Sequence, residues 1–147
     1  MMVTVAHELY IGAALRPEFG AQNGEDNTSE AEQIETLAKR IDRGAILLVD
    51  AGYGIFRVLY RCRVHTGHDV IARLTNARFK ALQRKAKLLG NESGVAHYEL
   101  TWKSTAKDLK NNPELSNDAS IRVHLYSHQR AEGEYLHVMS TMEFEPA

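Results

Sequence analysis

Ala45-Ile46-Leu47-Leu48-Val49-Asp50-Ala51-Gly52-Tyr53 is a run of five apolar residues that ends in a carboxylate and a glycine-containing turn. A continuous, partly β-branched run of this kind reads as a strand covered on both faces, since a strand with one wet face alternates instead. Ile55, Phe56, Leu59 and Cys62 then recur at helical spacing as far as about Val64, Gly67 closes that helix, and Val70-Ile71-Ala72-Arg73-Leu74 supplies a second strand. The stretch 45–74 therefore predicts a β-α-β unit with its two strands parallel.

The flanks are read outward from this unit. Val3 to Tyr10 and Ile11 to Phe19 predict two short strands, with Arg16-Pro17 ending the second because proline cannot donate to a ladder. Gly20 to Thr28 is a polar surface loop, and Ser29 with Glu32 fits a capping box opening a helix whose apolar stripe is Ala31, Ile34, Leu37, Ala38 and Ile41. Gly44 stops it. After Leu74 the sequence predicts helix-rich basic chain to Leu89. Beyond Gly90 the period changes to two, in Tyr98/Leu100/Trp102, Ile121/Val123/Leu125 and Leu136/Val138, so three half-buried strands follow, the first two separated by a long loop from Lys103 to Ser120. The expected fold is α/β: a mixed sheet over 1–89, then a β-rich part of antiparallel strands over 90–147, together one domain.

Composition agrees with one globular domain: 147 residues, 44% hydrophobic and 25% charged. The net charge of -1 hides a strong asymmetry. Residues 1–56 sum to -5, residues 57–87 to +8 and residues 88–147 to -4. Uncharged stretches such as Leu9 to Leu15 fall far short of the roughly 20 apolar residues that span a bilayer, so no membrane partner is expected. The first residues lack the basic start and cleavage pattern of a secretory signal, and the single cysteine, Cys62, excludes an internal disulfide framework. The expected location is cytoplasmic.

Asp50 is the residue with most chemical promise. A carboxylate delivered by a buried strand at its C-terminal end lies where open α/β sheets place their sites, and it suits a hard divalent ion such as Mg²⁺ or Mn²⁺. It equally suits capping of the helix that follows. Gly52-Tyr53-Gly54 lacks the third glycine of the dinucleotide fingerprint, since Arg57 stands there, which leaves a nucleotide-binding α/β domain as the weakest reading. Cys62, His65 and His68 hint at zinc by spacing but lack a second ligand pair, and the other histidines are scattered. The basic segment carries Arg57, Arg61, Arg63, Arg73, Arg78, Lys80, Arg84, Lys85 and Lys87 against one acid, Asp69. A solvated face normally mixes signs, so this one points to a polyanion, and DNA phosphate is the plain candidate. Asn76 adds a hydrogen-bonding side chain beside Arg73 and Arg78.

Ser29-Glu30, Ile46 to Tyr53 and Val70 to Ala77, in that order, resemble the middle of bacterial DDE transposases of the insertion-sequence-4 class. In that family an apolar strand ends in the second catalytic aspartate, commonly within Asp-Arg-Gly-Phe; here Asp-Ala-Gly-Tyr keeps the glycine and the aromatic and loses the arginine. The resemblance implies a ribonuclease-H-like fold with a β-rich insertion, in which Asp50 is one of three carboxylates that hold Mg²⁺ or Mn²⁺ for phosphoryl transfer. It places the family's first aspartate before Met1 and its last glutamate after Ala147. The expectation is thus an internal fragment, inactive alone, that binds DNA at transposon ends through Arg57, Arg61, Arg73, Asn76, Arg78, Lys80, Arg84, Lys85 and Lys87. An alternative is a non-catalytic DNA-binding or interfering partner of an intact transposase. The resemblance also implies that the Asp50 strand lacks a neighbour, leaving an open sheet edge and marginal stability.

Overall fold

The two apolar runs on either side of Gly67 pair in parallel, as the sequence predicts. In the computed structural model, which describes residues 2–4, 18–20, 30–42, 44–53 and 55–143, strand β3 (Ile46–Val49) lies beside β4 (Asp69–Leu74), with Ile46 opposite Asp69 and Val49 opposite Ala72. The strands before them, β1 (Met2–Thr4) and β2 (Glu18–Gly20), form a separate antiparallel pair. The rest of the two predicted N-terminal strands, the loop that follows them and Ser29 of the expected capping box lie outside the described residues. Helix α1 (Glu30–Arg40) carries the predicted stripe, with Leu37 and Ala38 fully buried, and Gly44 beyond it takes a left-handed φ of 85° that a side chain would strain.

The crossover from β3 to β4 runs through a 3₁₀ turn (Ala51–Tyr53), α2 (Phe56–Tyr60) and a wider π-helical turn (Arg61–His65). Helix α3 (Asn76–Gln83) follows β4, then β5 (Lys87–Glu92), β6 (Val95–Lys103), α4 (Ala106–Asn111), β7 (Ser120–Ala131) and β8 (Glu134–Ser140). Six strands join in one mixed sheet of order β3-β4-β8-β7-β6-β5, in which only the β3/β4 pair is parallel. The protein is therefore α/β, and β8 inserts beside β4 so that the C-terminal antiparallel strands share one sheet with the β-α-β unit. Among the described residues no helix is long and apolar enough to cross a membrane.

One face of the sheet carries the core. Val70, Ala72, Leu74, Val123, Leu125 and Met139 project there and pack with Ala38 of α1, Phe56 and Leu59 of α2, and Phe79 and Leu82 of α3. His68, just before β4, is fully buried beneath these helices. Its Nδ1 accepts from the Ala45 N–H (3.2 Å), which leaves Nε2 to donate to the Ala38 carbonyl (2.8 Å), and so it fastens the end of α1 to the start of β3.

Three expectations need correction. Among the described residues β3 is a sheet edge with one neighbour, not a strand covered on both faces: Leu47 and Val49 turn to the core, whereas Ile46 and Leu48 are 51% and 57% exposed. The basic chain to Leu89 is not helical throughout, because Lys87 to Glu92 pairs antiparallel with β6 across a turn at Ser93 and Gly94, both of positive φ, as a tight hairpin demands. A boundary at 89/90 would cut this strand. The stretch between β6 and β7 holds α4, opened by a complete capping box in which Thr105 and Asp108 serve each other's backbone N–H groups.

Candidate nucleic-acid interface

The parallel pair delivers its chemistry at one end. Asp50 follows the last residue of β3, is exposed, and accepts the Ala51 N–H on Oδ1 at 2.8 Å. At the same end of β4 stand Arg73, Thr75 and Asn76; Thr75 caps α3 by accepting the Arg78 N–H at 3.3 Å. Asp50 thus sits at the C-terminal end of the parallel strands, as expected. Gly52 in the turn after it has no left-handed φ, and a Cβ there would meet no protein atom within 4 Å; Gly54 lies outside the described residues. Among the described residues Asp50 belongs to no group of three metal-binding side chains.

The basic segment divides into two sets. Arg57 and Arg61, expected to face DNA, turn instead to Glu35 of α1. Arg57 donates through Nε and Nη2 to the two carboxylate oxygens (2.8 and 3.2 Å), and Arg61 donates through Nη1 to Oε2 (3.1 Å) while also reaching Glu114. Glu35 is 7% exposed and both arginine side chains are largely covered, which commits them to holding α2 against α1. Arg63 lies beside Asp69, whose Oδ1 accepts the Thr141 hydroxyl.

The second set is displayed. Arg73, Asn76, Lys80, Arg84, Lys85 and Lys87 are exposed, and Arg78 is half-buried at the start of α3. Asn76, Lys80 and Arg84 recur at intervals of four and therefore share one side of α3, while Phe79 and Leu82 anchor the helix to the core. This side opens on a groove of about 780 Å³ between α3 and the strands β5 to β8, lined among others by Asn76, Lys80, Gln83, Gln129 and Tyr135. Within it three rings stack in a column: Phe79 on His137 (centroids 4.0 Å, planes 7° apart) and His137 on Tyr135 (5.8 Å, 4°), the last of them half exposed. The sequence did not disclose the groove. The alternation of Tyr135 and His137 fixes which face they share, but only the register of β7 with β8 sets them beside α3.

His137 gives the groove a pH dependence. Burial, and then the charge of nearby Lys80, push its imidazole below the ordinary histidine value, and Nδ1 is hydrogen-bonded to the Ser127 hydroxyl at 2.9 Å. The folded protein therefore binds this proton less readily than the unfolded chain. Stability is complete above the ordinary value of 6.5 and is lost as pH falls below it toward the depressed one. Thermal melts should show a midpoint lower near pH 5.5 than near pH 7.5. His137→Phe, which keeps a ring in the column, should flatten that difference; an unchanged pH profile in the variant would refute the assignment. His124, depressed chiefly by burial, leaves a residual slope of the same sign.

Cys62, His65 and His68 do not converge on a metal. His68 spends both ring nitrogens on backbone, His65 is exposed, and burial followed by the charge of Glu35 raises the Cys62 thiol to about 12, far from a thiolate. On the sheet face opposite the groove, His97, His124 and Glu143 approach one another instead. The fold and the displayed basic helix define an α/β protein with a groove bordered by exposed basic side chains. No family model, curated protein or solved structure matches the chain.

Proposed function

We propose that this chain is a DNA-binding part of a DDE-type transposase catalytic domain of the insertion-sequence-4 class, one that grips DNA without cutting it by itself. Lys87, opposite Glu99, projects on the other sheet face; the observation that carries the reading is the side of α3 that presents Asn76 and Lys80 to a groove with an exposed aromatic end, with Arg84 and Lys85 exposed at the end of the same helix. Such a surface neutralises phosphates and offers a base a ring to stack on. The parallel β3/β4 pair beside antiparallel strands, with a carboxylate at its C-terminal end, suits a ribonuclease-H-like sheet and supports the family reading.

The same geometry argues against cleavage by the described residues alone. In this reading Mg²⁺ or Mn²⁺, held by Asp50 together with further carboxylates, would polarise the phosphoryl oxygens and acidify the attacking water. Asp50 offers the hard oxygen such ions take, but one exposed carboxylate does not hold them, and further carboxylates must come from outside the described residues or from an intact transposase.

Anisotropy of a labelled DNA duplex tests this. The chain should bind at about 50 mM salt and weaken on the order of a hundredfold or more by about 200 mM. Asp50→Ala, which removes a negative charge, should bind at least as tightly. Absence of binding at low salt would overturn the proposal, and Mg²⁺-dependent nicking abolished by Asp50→Ala would overturn the claim that the chain does not cut alone.

A further inference from the structure

The face of the sheet that turns away from the groove carries its own constellation. Strands β6 and β7 pair antiparallel with His97 opposite Tyr126 and Glu99 opposite His124, so His97 and His124 are diagonal neighbours on one face. Their rings meet directly, His97 Nε2 against His124 Nδ1 at 2.9 Å, with centroids 5.1 Å apart. Tyr126 stacks on His97 at 4.6 Å and 13°, fixing that ring, and His124 is 5% exposed. Glu143, three residues past the end of β8, brings an exposed carboxylate to the same place, and one ligand atom from each of the three residues lies within 4.8 Å of the other two.

We propose that His97, His124 and Glu143 form a binding site for a zinc-class divalent ion. Two imidazole nitrogens and one carboxylate oxygen are a donor set that zinc accepts in tetrahedral geometry, leaving a fourth position for water. Nitrogen donors rank copper, zinc, nickel and cobalt well above magnesium and calcium, which prefer oxygen, so the site differs in kind from the one Asp50 would serve. Without metal, one imidazole donates its proton to the other. With metal, both lone pairs turn to the ion, about 2.0–2.1 Å away, and the rings need to part by only a few tenths of an ångström. The ion ties β6 and β7 to the chain beyond β8.

The test uses the full chain stripped of metal by a chelator. Co²⁺ should bind one to one and develop visible absorption of tetrahedral intensity that Zn²⁺ abolishes, and Zn²⁺, not Mg²⁺, should raise the thermal midpoint by several degrees. His97→Gln and Glu143→Gln, at half-buried and exposed positions, should each weaken Zn²⁺ at least about tenfold while the metal-free melt stays close to wild type. Cys62→Ser should leave Co²⁺ binding unchanged. Absence of one-to-one binding, a Co²⁺ spectrum indifferent to His97→Gln and Glu143→Gln, or an equal response to Mg²⁺ would overturn the site. DNA affinity plays no part in these readouts, so their outcome is independent of the proposed function.

Discussion

Replacing Glu35 with alanine should destabilise the protein by about 3–5 kcal/mol, the cost of leaving buried charge without its partner. Glu35 is nearly enclosed and receives three hydrogen bonds from Arg57 and Arg61, whose side chains are themselves 16% and 17% exposed. Removing the carboxylate leaves two guanidinium groups close together between α1 and α2, with only the half-exposed Glu32 and Glu114 to offset them. Against a total stability of roughly 5–15 kcal/mol for a small domain, that is a large share. A second comparison separates a lost attraction from a stranded charge. Glu35→Leu with Arg57→Met and Arg61→Met replaces the whole cluster by apolar groups and should recover most of the loss in urea melts, because a buried ion pair contributes little beyond an apolar contact. If Glu35→Ala melts like wild type, the cluster does not hold the helices together. Cys62, fully buried, offers a second readout: its thiol should resist alkylation in the native protein and react faster in the alanine variant, both because the helix pair opens more often and because the Glu35 charge that helps raise the thiol is gone.

The second large effect concerns DNA. The triple variant Lys80→Ala, Arg84→Ala, Lys85→Ala should lose on the order of a hundredfold in duplex affinity at 0.1 M salt and reduce the log–log salt slope by about 3, one unit for each phosphate contact removed. All three side chains are exposed, so the melt should stay within about 0.5 kcal/mol of wild type. Lys107 and Lys110 on α4 serve as the control, since they are also exposed but belong to a helix none of whose residues lines the groove, whereas α3 supplies Asn76, Phe79, Lys80 and Gln83 to it. Their removal should change affinity by a few-fold only. An equal loss in both variants would mean that net charge, and not the α3 side, governs binding.

What the sequence reveals and conceals follows physical lines. The β-α-β unit is legible because apolar runs and glycine punctuation are local signals, and the three C-terminal strands are legible from their period of two, although β8 buries His137 and Met139 in place of Leu136 and Val138 and β7 buries Val123 to Tyr126 without a break. Strand β5 is not, since Lys87-Leu88-Leu89-Gly90-Asn91-Glu92 is exposed along nearly its whole length and owes its extended form to pairing with β6. The run Ile46 to Val49 misleads for the opposite reason: four apolar residues in succession read as doubly covered, whereas β3 closes the sheet with two of them toward solvent. Counting charge by segment groups Arg57 and Arg61 with the basic helix, because their partner Glu35 stands 22 and 26 residues upstream and meets them only through helix packing. The zinc-class cluster is hidden in the same way, as its three residues come from separate strands and the chain beyond β8.

Hydrogen exchange of the full chain with and without a DNA duplex, at about 50 mM salt, tests DNA binding at the residues that line the groove. DNA should slow exchange over 76–87 and over 127–137, the α3 side and the opposite wall of the groove, and leave β3 and α4 unchanged. Protection absent from both of these stretches, or confined to other parts of the chain, would contradict the account.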